Sequence, residues 1–494
     1  MTTMELAERV VATRLGSVPV PALAEAKRSL LNWVGVAIGA AQHPMVGMVL
    51  RVGRLGGTHQ DATVLGRTER ADMFTAALAN GISSHIFDYD DTLLDTVLHP
   101  SAPVFPAMLA YAETMGVSGS DFLAAFVIGA EVEQRIAQAI YPSHYDRGWH
   151  ITGSVGAFGA AAAVGRLMGL DSTRMAYALG LASTQPLGMR EMFGTFTKPY
   201  HPGKAAQNGL EAAFLAREGF TSSLKSIEAP RGFAFVTSES PRLERLISGW
   251  GETWEILNNS YKPFPCGIVI HPSIDGVLRL REEHGLRPES VAAVELEVHP
   301  LVLELCGKKE PRDGLEAKFS VYHCAAIALI DGWVGPAQFD DAKVVAPGTL
   351  ALRARVVALP STSIAEDQAR VTVRLKDGTT VEQFVEHAVG SRHVPMTREQ
   401  LEKKFLSLTM SLSPQRRDEL IAMIWDFENQ PGVRNLAALT VPGAAETVAG
   451  MSHGLFGCGL PLVESDAIEQ RSQRNAGSGN EDDRSAGKVP QIPA

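Results

Sequence analysis

Apolar residues recur three and four places apart through most of the first half of the chain, the spacing that gives a helix one buried face. Residues 21–40 carry Ala, Leu and Val at that period, with their charges on the opposite face. Residues 71–86 and 102–115 repeat the pattern, and 121–140 does so with Ser118 or Ser120 placed as N-cap. Residues 153–168 (GSVGAFGAAAAVGRLM) stack small side chains at i, i+3 and i+4, which predicts a helix packed close against its neighbours. Its glycines run GxxGxxG with no strand before them, so the segment is not a dinucleotide-binding loop.

The period changes after about Pro265. Residues 291–299 (VAAVELEVH) alternate, and 369–386 read as two strands joined at Asp377 and Gly378, a hairpin signal. A helix is expected between them, around residues 319–331, and helical spacing returns at 397–405 and 414–427. The pattern predicts a mainly α protein with an α+β second domain. A large helical domain would be built from both chain ends, residues 1–265 and 397–465, with a smaller α+β lid at 266–396. Residues 466–494 are polar, Gly/Ser-rich and aperiodic, and are expected to be disordered.

Composition narrows the class. The chain has 494 residues, 45% hydrophobic and 20% charged, as in a globular enzyme. A net charge of −10 disfavours nucleic acid or an anionic membrane as partner. The four cysteines are scattered without CxxC or zinc spacing, which indicates neither a disulfide framework nor a structural metal. The N-terminus lacks the apolar core of a signal peptide, and no stretch is apolar enough to span a bilayer, so a cytoplasmic protein is expected.

Four segments place polar chemistry in or beside apolar helices. The first is Asp88-Tyr89-Asp90-Asp91-Thr92 with His99 after it; from spacing alone it is an acidic loop and cap between helices. His150 precedes the Gly/Ala helix, where a cap or a satisfied core histidine is the plain reading. Lys198, His201 and Lys204 stand at the opening of an Ala-rich helix, whose free N–H groups and positive end suit an anion. Lys262 lies in the apolar, proline-stiffened run YKPFPCG, where a snorkelling surface lysine is the plain alternative.

Together and in this order, these segments resemble the MmgE/PrpD family, which includes 2-methylcitrate dehydratase, cis-aconitate decarboxylase and iminodisuccinate epimerase. The resemblance is carried by ATVLG at 62–66, DYDDT with HPS after it, GWHITG, KPYHPGKAAQNG, YKPFPCG with His271, and KFSVYHCAAIALIDG at 318–332. It implies a helical domain under an α+β lid, an active site in the cleft between them, a homodimer and no cofactor. Carried over residue by residue, the active-site positions are Asp88, Thr92, His99, His150, Lys198, Lys262 and Tyr322, with Arg190 and His201 as neighbours. Two positions depart from the animal decarboxylases: residues 92–99 are longer by one, and Gly267 stands where those enzymes carry a histidine. HPSAP at 99–103 also lacks the end of the segment found in bacterial methylcitrate dehydratases.

The expected function is therefore a cofactor-independent lyase for a small polycarboxylate, first of all a 2-methylcitrate dehydratase-like hydro-lyase. A cis-aconitate-type decarboxylase and an iminodisuccinate-type epimerase are the alternatives within the family, and a non-catalytic helical scaffold the alternative outside it. In these reactions negative charge builds up beside a carboxylate, which calls for a base near neutrality and for cations. His99, His150 and Asp88 are the candidate acids and bases, and Lys198 and Lys262 the candidate carboxylate partners. Tyr322 would give a proton to a leaving hydroxyl or to the carbanion. A GxSxG match at 450–454 has only one histidine within or after it, His453, and so does not support a serine hydrolase.

Overall fold

The computed structural model describes residues 2–57 and 59–443, so the GxSxG segment and the polar tail lie outside the described residues. The helical part rests on α1 (Val20–Ala40), α2 (Met73–Ile86), α3 (Ser101–Met115), α4 (Gly119–Ile140), α5 (Ile151–Leu167) and α6 (Thr197–Arg217). Their limits follow local chemistry. Asp72 accepts from the Phe74 and Thr75 amides at 3.0 Å to open α2, and Ser118 caps α4 through the Asp121 amide. Gly116, at φ 74°, ends α3 in the left-handed conformation.

The small-residue helix is buried along nearly its whole length, from Ile151 to Gly165. Its neighbours come within backbone distance. A Cβ on Gly209 of α6 would stand 2.6 Å from the Ala157 carbonyl oxygen of α5, and one on Gly81 of α2 would stand 2.5 Å from Gly203 Cα. No larger side chain fits these crossings. That explains a Gly/Ala pattern with almost no charge.

The α+β part follows with α7 (His271–His284) and α8 (Val321–Asp331) against one sheet. Taking β1 and β2 for the short strands Asp91–Leu93 and Asn259–Tyr261, the sheet is made of β3 (Val291–Val298), β4 (Val356–Pro360), β5 (Ala369–Leu375) and β6 (Thr380–Val385). Its order is β4-β3-β5-β6, with β4 parallel to β3 and the other neighbours antiparallel. The β5–β6 hairpin turns at Gly378, φ 93°, as the sequence predicts. Strand β4 was not anticipated; it is an edge strand, and Val357 and Leu359 remain exposed, so no clean alternation marks it. Residues 264–373 hold their own apolar cluster, distinct from the two helical ones.

The chain then returns to the helical part in α9 (Arg398–Leu408), opened by a capping box of Thr397 and Gln400. Phe405 and Leu408 lie on Gly35 and Gly39 of α1, so both ends of the described chain share one core. The fold is mainly α with an α+β portion. Among the described residues no single helix is long and apolar enough to cross a membrane.

The close crossing of α5 and α6 gives a direct test. Gly209→Val should overpack the Ala157–Ala161 backbone, at a cost of about 1–3 kcal/mol. Thermal melting should then fall by several degrees; an unchanged melting temperature would mean that the helices can part at no cost.

Candidate active site

The acidic segment is not a surface loop. Asp88, Asp90 and Asp91 are all buried, and each has different partners. Asp91 accepts from Ser101 Oγ at 2.6 Å and Asn259 Nδ2 at 2.7 Å; burial still pushes its carboxyl up to about 6. Asp90 Oδ2 lies 2.6 Å from His85 Nδ1. Asp88 Oδ1 accepts from Lys198 Nζ at 2.6 Å and Lys262 Nζ at 2.9 Å. The plain reading as an acidic loop and cap between helices does not reveal these partners, which come from segments up to 174 residues away.

Backbone geometry brings the set together. β1 pairs antiparallel with β2, Thr92 opposite Ser260, and so lays the acidic segment beside the run that carries Lys262. Residues 93–98 close on themselves, with the Leu93 amide 2.8 Å from the Leu98 carbonyl. This brings His99 Nδ1 to 3.1 Å from Thr92 Oγ1 and 2.8 Å from the Asp91 carbonyl. Two residues pay in backbone strain: Asp88 has φ 53°, and the β-branched Val97 has φ 54°.

His150 occupies the N-cap position of α5, yet its side chain caps nothing; its Nδ1 lies 2.9 Å from His201 Nδ1 on α6. Lys198 is in the first turn of α6, which starts at Thr197, earlier than the glycine-containing sequence suggests. Lys204 turns away and donates to Gln207 Oε1 at 2.6 Å.

A narrow cleft opens between the helical and α+β parts. Asp88, Thr92, His99, His150, Lys198 and Lys262 line it, together with an apolar wall of Val97, Phe193, Ile268, Val269, Leu305 and Phe319. Gly267 is also in the wall; a Cβ there would stand 2.5 Å from Cys306 Sγ, so the cysteine fills the place of a side chain. Two of the expected residues lie elsewhere. Tyr322 lines a larger concavity on the α+β part, about 1420 Å³, beside Lys309 and Arg353, and that concavity gathers no histidine. Arg190 spans Tyr145, 4.3 Å over its ring, and Glu304 Oε1 at 2.6 Å, behind the cleft wall.

The charges fall into opposed pairs. Burial resists ionisation of Asp88, but Lys198 and Lys262 outweigh it and hold the carboxyl well below the usual range. Burial lowers Lys198, with Asp88 opposing, whereas for Lys262 the attraction of Asp88 and Asp90 overcomes burial and raises it. Burial brings His99 down to about 3 and His201 to about 4, and burial with His201 and Lys198 beside it carries His150 well below its ordinary value. All three imidazoles are therefore neutral near pH 7. His99 gives its Nδ1 proton to the Asp91 carbonyl, which leaves Nε2 as a free base.

Several residues that sequence reasoning missed hold this arrangement. Lys318 Nζ donates to the carbonyls of Phe87 at 2.9 Å and Pro265 at 3.0 Å. Lys404 Nζ donates to those of Tyr89 at 2.7 Å and Lys262 at 2.8 Å, and to Asn32 Oδ1. His85 is buried behind His99, ring centroids 4.8 Å apart. The only signal for Lys318 was its place in the KFSVYHC motif; Lys404 lies in an ordinary amphipathic helix, with no signal at all. One ring nitrogen of each of His85, His99 and His150 lies within 4.8 Å of the others, close enough to meet a single cation. The ammonium groups of Lys198 and Lys262 occupy the same region and would oppose a divalent ion.

A cleft with two ammonium groups, neutral imidazoles and a buried carboxylate is built for proton transfer on an anionic substrate. The chain belongs to the MmgE/PrpD family: residues 4–246 match the MmgE/PrpD N-terminal domain and residues 264–428 the MmgE/PrpD C-terminal domain. It is an enzyme of the lyase class. Among curated relatives it is similar to cis-aconitate decarboxylase of Homo sapiens, 27% identical over 446 residues, 86% of this chain and 92% of that one. The Mus musculus enzyme of the same name is 28% identical over 432 residues, 84% and 87% of the two chains. That of Aspergillus terreus is 27% identical over 386 residues, 72% and 78% of the two chains.

Three outcomes are expected of this site. Exhaustive chelation should leave turnover unchanged; loss with EDTA, restored by a divalent metal, would make the histidines ligands instead. Lys198→Met and Lys262→Met should each remove a charge-assisted contact of about 1.5–3 kcal/mol, roughly tenfold or more in kcat/KM. His150→Gln should lower kcat by about 10²–10⁴ with a smaller change in KM. A folded His150→Gln protein with normal kcat would take His150 out of the chemistry and leave His99 as the proton carrier.

Proposed function

We propose that this enzyme decarboxylates cis-aconitate or a close unsaturated tricarboxylate. The observation that carries the reading is the mixed lining of the cleft: the ammonium groups of Lys198 and Lys262 share it with His99 and His150 and with the apolar side chains of Phe193, Ile268, Val269, Leu305 and Phe319. Carboxylates kept in the product pair with the ammonium groups. The carboxylate to be lost faces the apolar wall, where its charge is poorly solvated and departure as neutral CO2 is favoured.

Breaking the carbon–carboxylate bond leaves an electron pair on carbon. In a substrate with an adjacent double bond, the pair moves through it into the enolate of a retained carboxylate, next to the lysines. A proton then closes on carbon, so each turnover consumes one. His99 and His150 are the groups placed to bring it, through ring nitrogens that reach the cleft. With Gly267 in the wall, no third imidazole comes from that position.

This reading replaces the dehydratase that the sequence alone suggested. Dehydration needs an acid for the departing hydroxyl, and Tyr322, the residue considered for that task, lines a different concavity. The relatives named above, matched over most of their length, are decarboxylases.

Proton NMR in D2O on cis-aconitate, citrate, 2-methylcitrate and iminodisuccinate tests the proposal. Cis-aconitate should disappear with release of CO2 and one deuterium per product molecule. Dehydration of 2-methylcitrate, or exchange at the α-carbon of iminodisuccinate, with cis-aconitate untouched would overturn it.

A further inference from the structure

Asp90 does not line the cleft, yet it is fully buried directly behind it. Its Oδ2 is shared by two imidazoles, His85 Nδ1 at 2.6 Å and His99 Nδ1 at 3.5 Å. Its Oδ1 has no partner, and neither has His85 Nε2. Buried polar atoms are nearly always paired, so two orphans on one contacting pair mark a group kept for something other than stability. His85 closes the last turn of α2, its ring 4.8 Å from His99 and 5.7 Å from His150.

We propose that Asp90 and His85 form a buried positioning pair behind His99: Asp90 is the counter-anion that lets His99 take up the proton the reaction consumes, and His85 holds that carboxylate in place. The charged and titratable groups that bear on His99 are Asp90, Lys262, His85 and Lys198, with Asp88 also within 4.8 Å but held by the two lysines; His150, with His201 behind it, completes the polar neighbourhood. In the empty site burial and the two ammonium groups keep His99 neutral, and Asp90 is the anion that opposes them. When substrate carboxylates neutralise the lysines, that opposition ends and Asp90 favours the imidazolium. Binding of the polyanion thus loads His99 with its proton. For His85, the Nδ1 proton given to Asp90 fixes the carboxylate's orientation and leaves Nε2 unprotonated.

The loading step rests on the decarboxylase reading; the approach of Asp90 to both imidazoles does not. Histidine-labelled full-length protein, followed by ¹⁵N NMR, separates the two. Without ligand, Asp90→Asn should move the Nδ1 signals of both His85 and His99. If only the His85 signal moves, Asp90 serves His85 alone and the proposal falls. With tricarballylate as an unreactive tricarboxylate, the His99 pKa should rise, and the rise should shrink by about one unit or more in Asp90→Asn.

Variants of His85 distinguish a hydrogen bond from packing. His85→Asn keeps an N–H toward Asp90 and should retain most of the activity on cis-aconitate. His85→Leu should lose roughly tenfold or more in kcat, with little change in KM, and shift the alkaline limb of the pH profile to lower pH. The reverse order, Leu active and Asn not, would make His85 a packing residue and overturn the proposal. Should His85→Leu fail to fold, the Asp90→Asn signals decide alone. Failure of tricarballylate to bind and of cis-aconitate to react would refute the function while leaving the link of Asp90 to both imidazoles to be judged by the ligand-free spectra.

Discussion

Asp88 holding two ammonium groups is the interaction on which the site depends. A carboxylate and two lysines this deep would each be costly alone, and removing one member of such a buried set typically costs about 3–5 kcal/mol. Lys198 arrives from the start of α6 and Lys262 from the segment after β2, so the attraction fixes where two distant stretches of chain meet. It also explains why Asp88 tolerates a left-handed backbone: at φ 53° its carboxylate meets both ammonium groups within 2.9 Å.

Side chains set to that tolerance need a backbone that does not drift. Lys318 and Lys404 provide it, one from each side. Between them they bind the carbonyls of Phe87 and Tyr89, which flank Asp88, and those of Lys262 and Pro265. Each lysine thus joins the acidic loop to the Lys262 run. Burial lowers Lys318 to about 8, with Asp88 opposing, the expected penalty for a buried ammonium whose hydrogen bonds go to neutral carbonyls. The α+β part supplies one clamp and the returning helix α9 the other. A site built in the first half of the chain therefore requires the second half to be folded.

The helices, the β5–β6 hairpin and the return of the chain were legible because each leaves a periodic signature within a dozen residues. So were six residues of the cleft, but through the order of motifs and not through local pattern. What was not legible had no local cause. The β1–β2 pairing joins residues 91–93 to 259–261, too short to alternate. Asp90 reads as one of three similar acids, and only the partners that the fold brings to each separate its role from those of Asp88 and Asp91. Tyr322 was carried over with its motif, but the start of α8 turns it toward Lys309 and Arg353. A motif identifies the segment. It does not say which face of a helix looks into the site.

The charge balance suggests why the set is arranged as it is. Asp88 and Asp90 are ionised, Lys198 and Lys262 carry the opposing charge, and the imidazoles are neutral, so the empty cleft is close to neutral. A polycarboxylate entering it must compete with Asp88 for the lysines. The two lysines are not equal in that contest: Asp88 and Asp90 both hold Lys262 charged, while burial and the like charge of Lys262 bring Lys198 down. A further carboxylate near Lys198 would oppose the effect of burial there and favour its charged form. Lys262 remains fixed as the permanent cation. The asymmetry distinguishes the two cations: Lys198 stands over the faces of Phe193 and Phe319, each ring 5.3 Å from its ammonium, while Lys262 is held by two carboxylates.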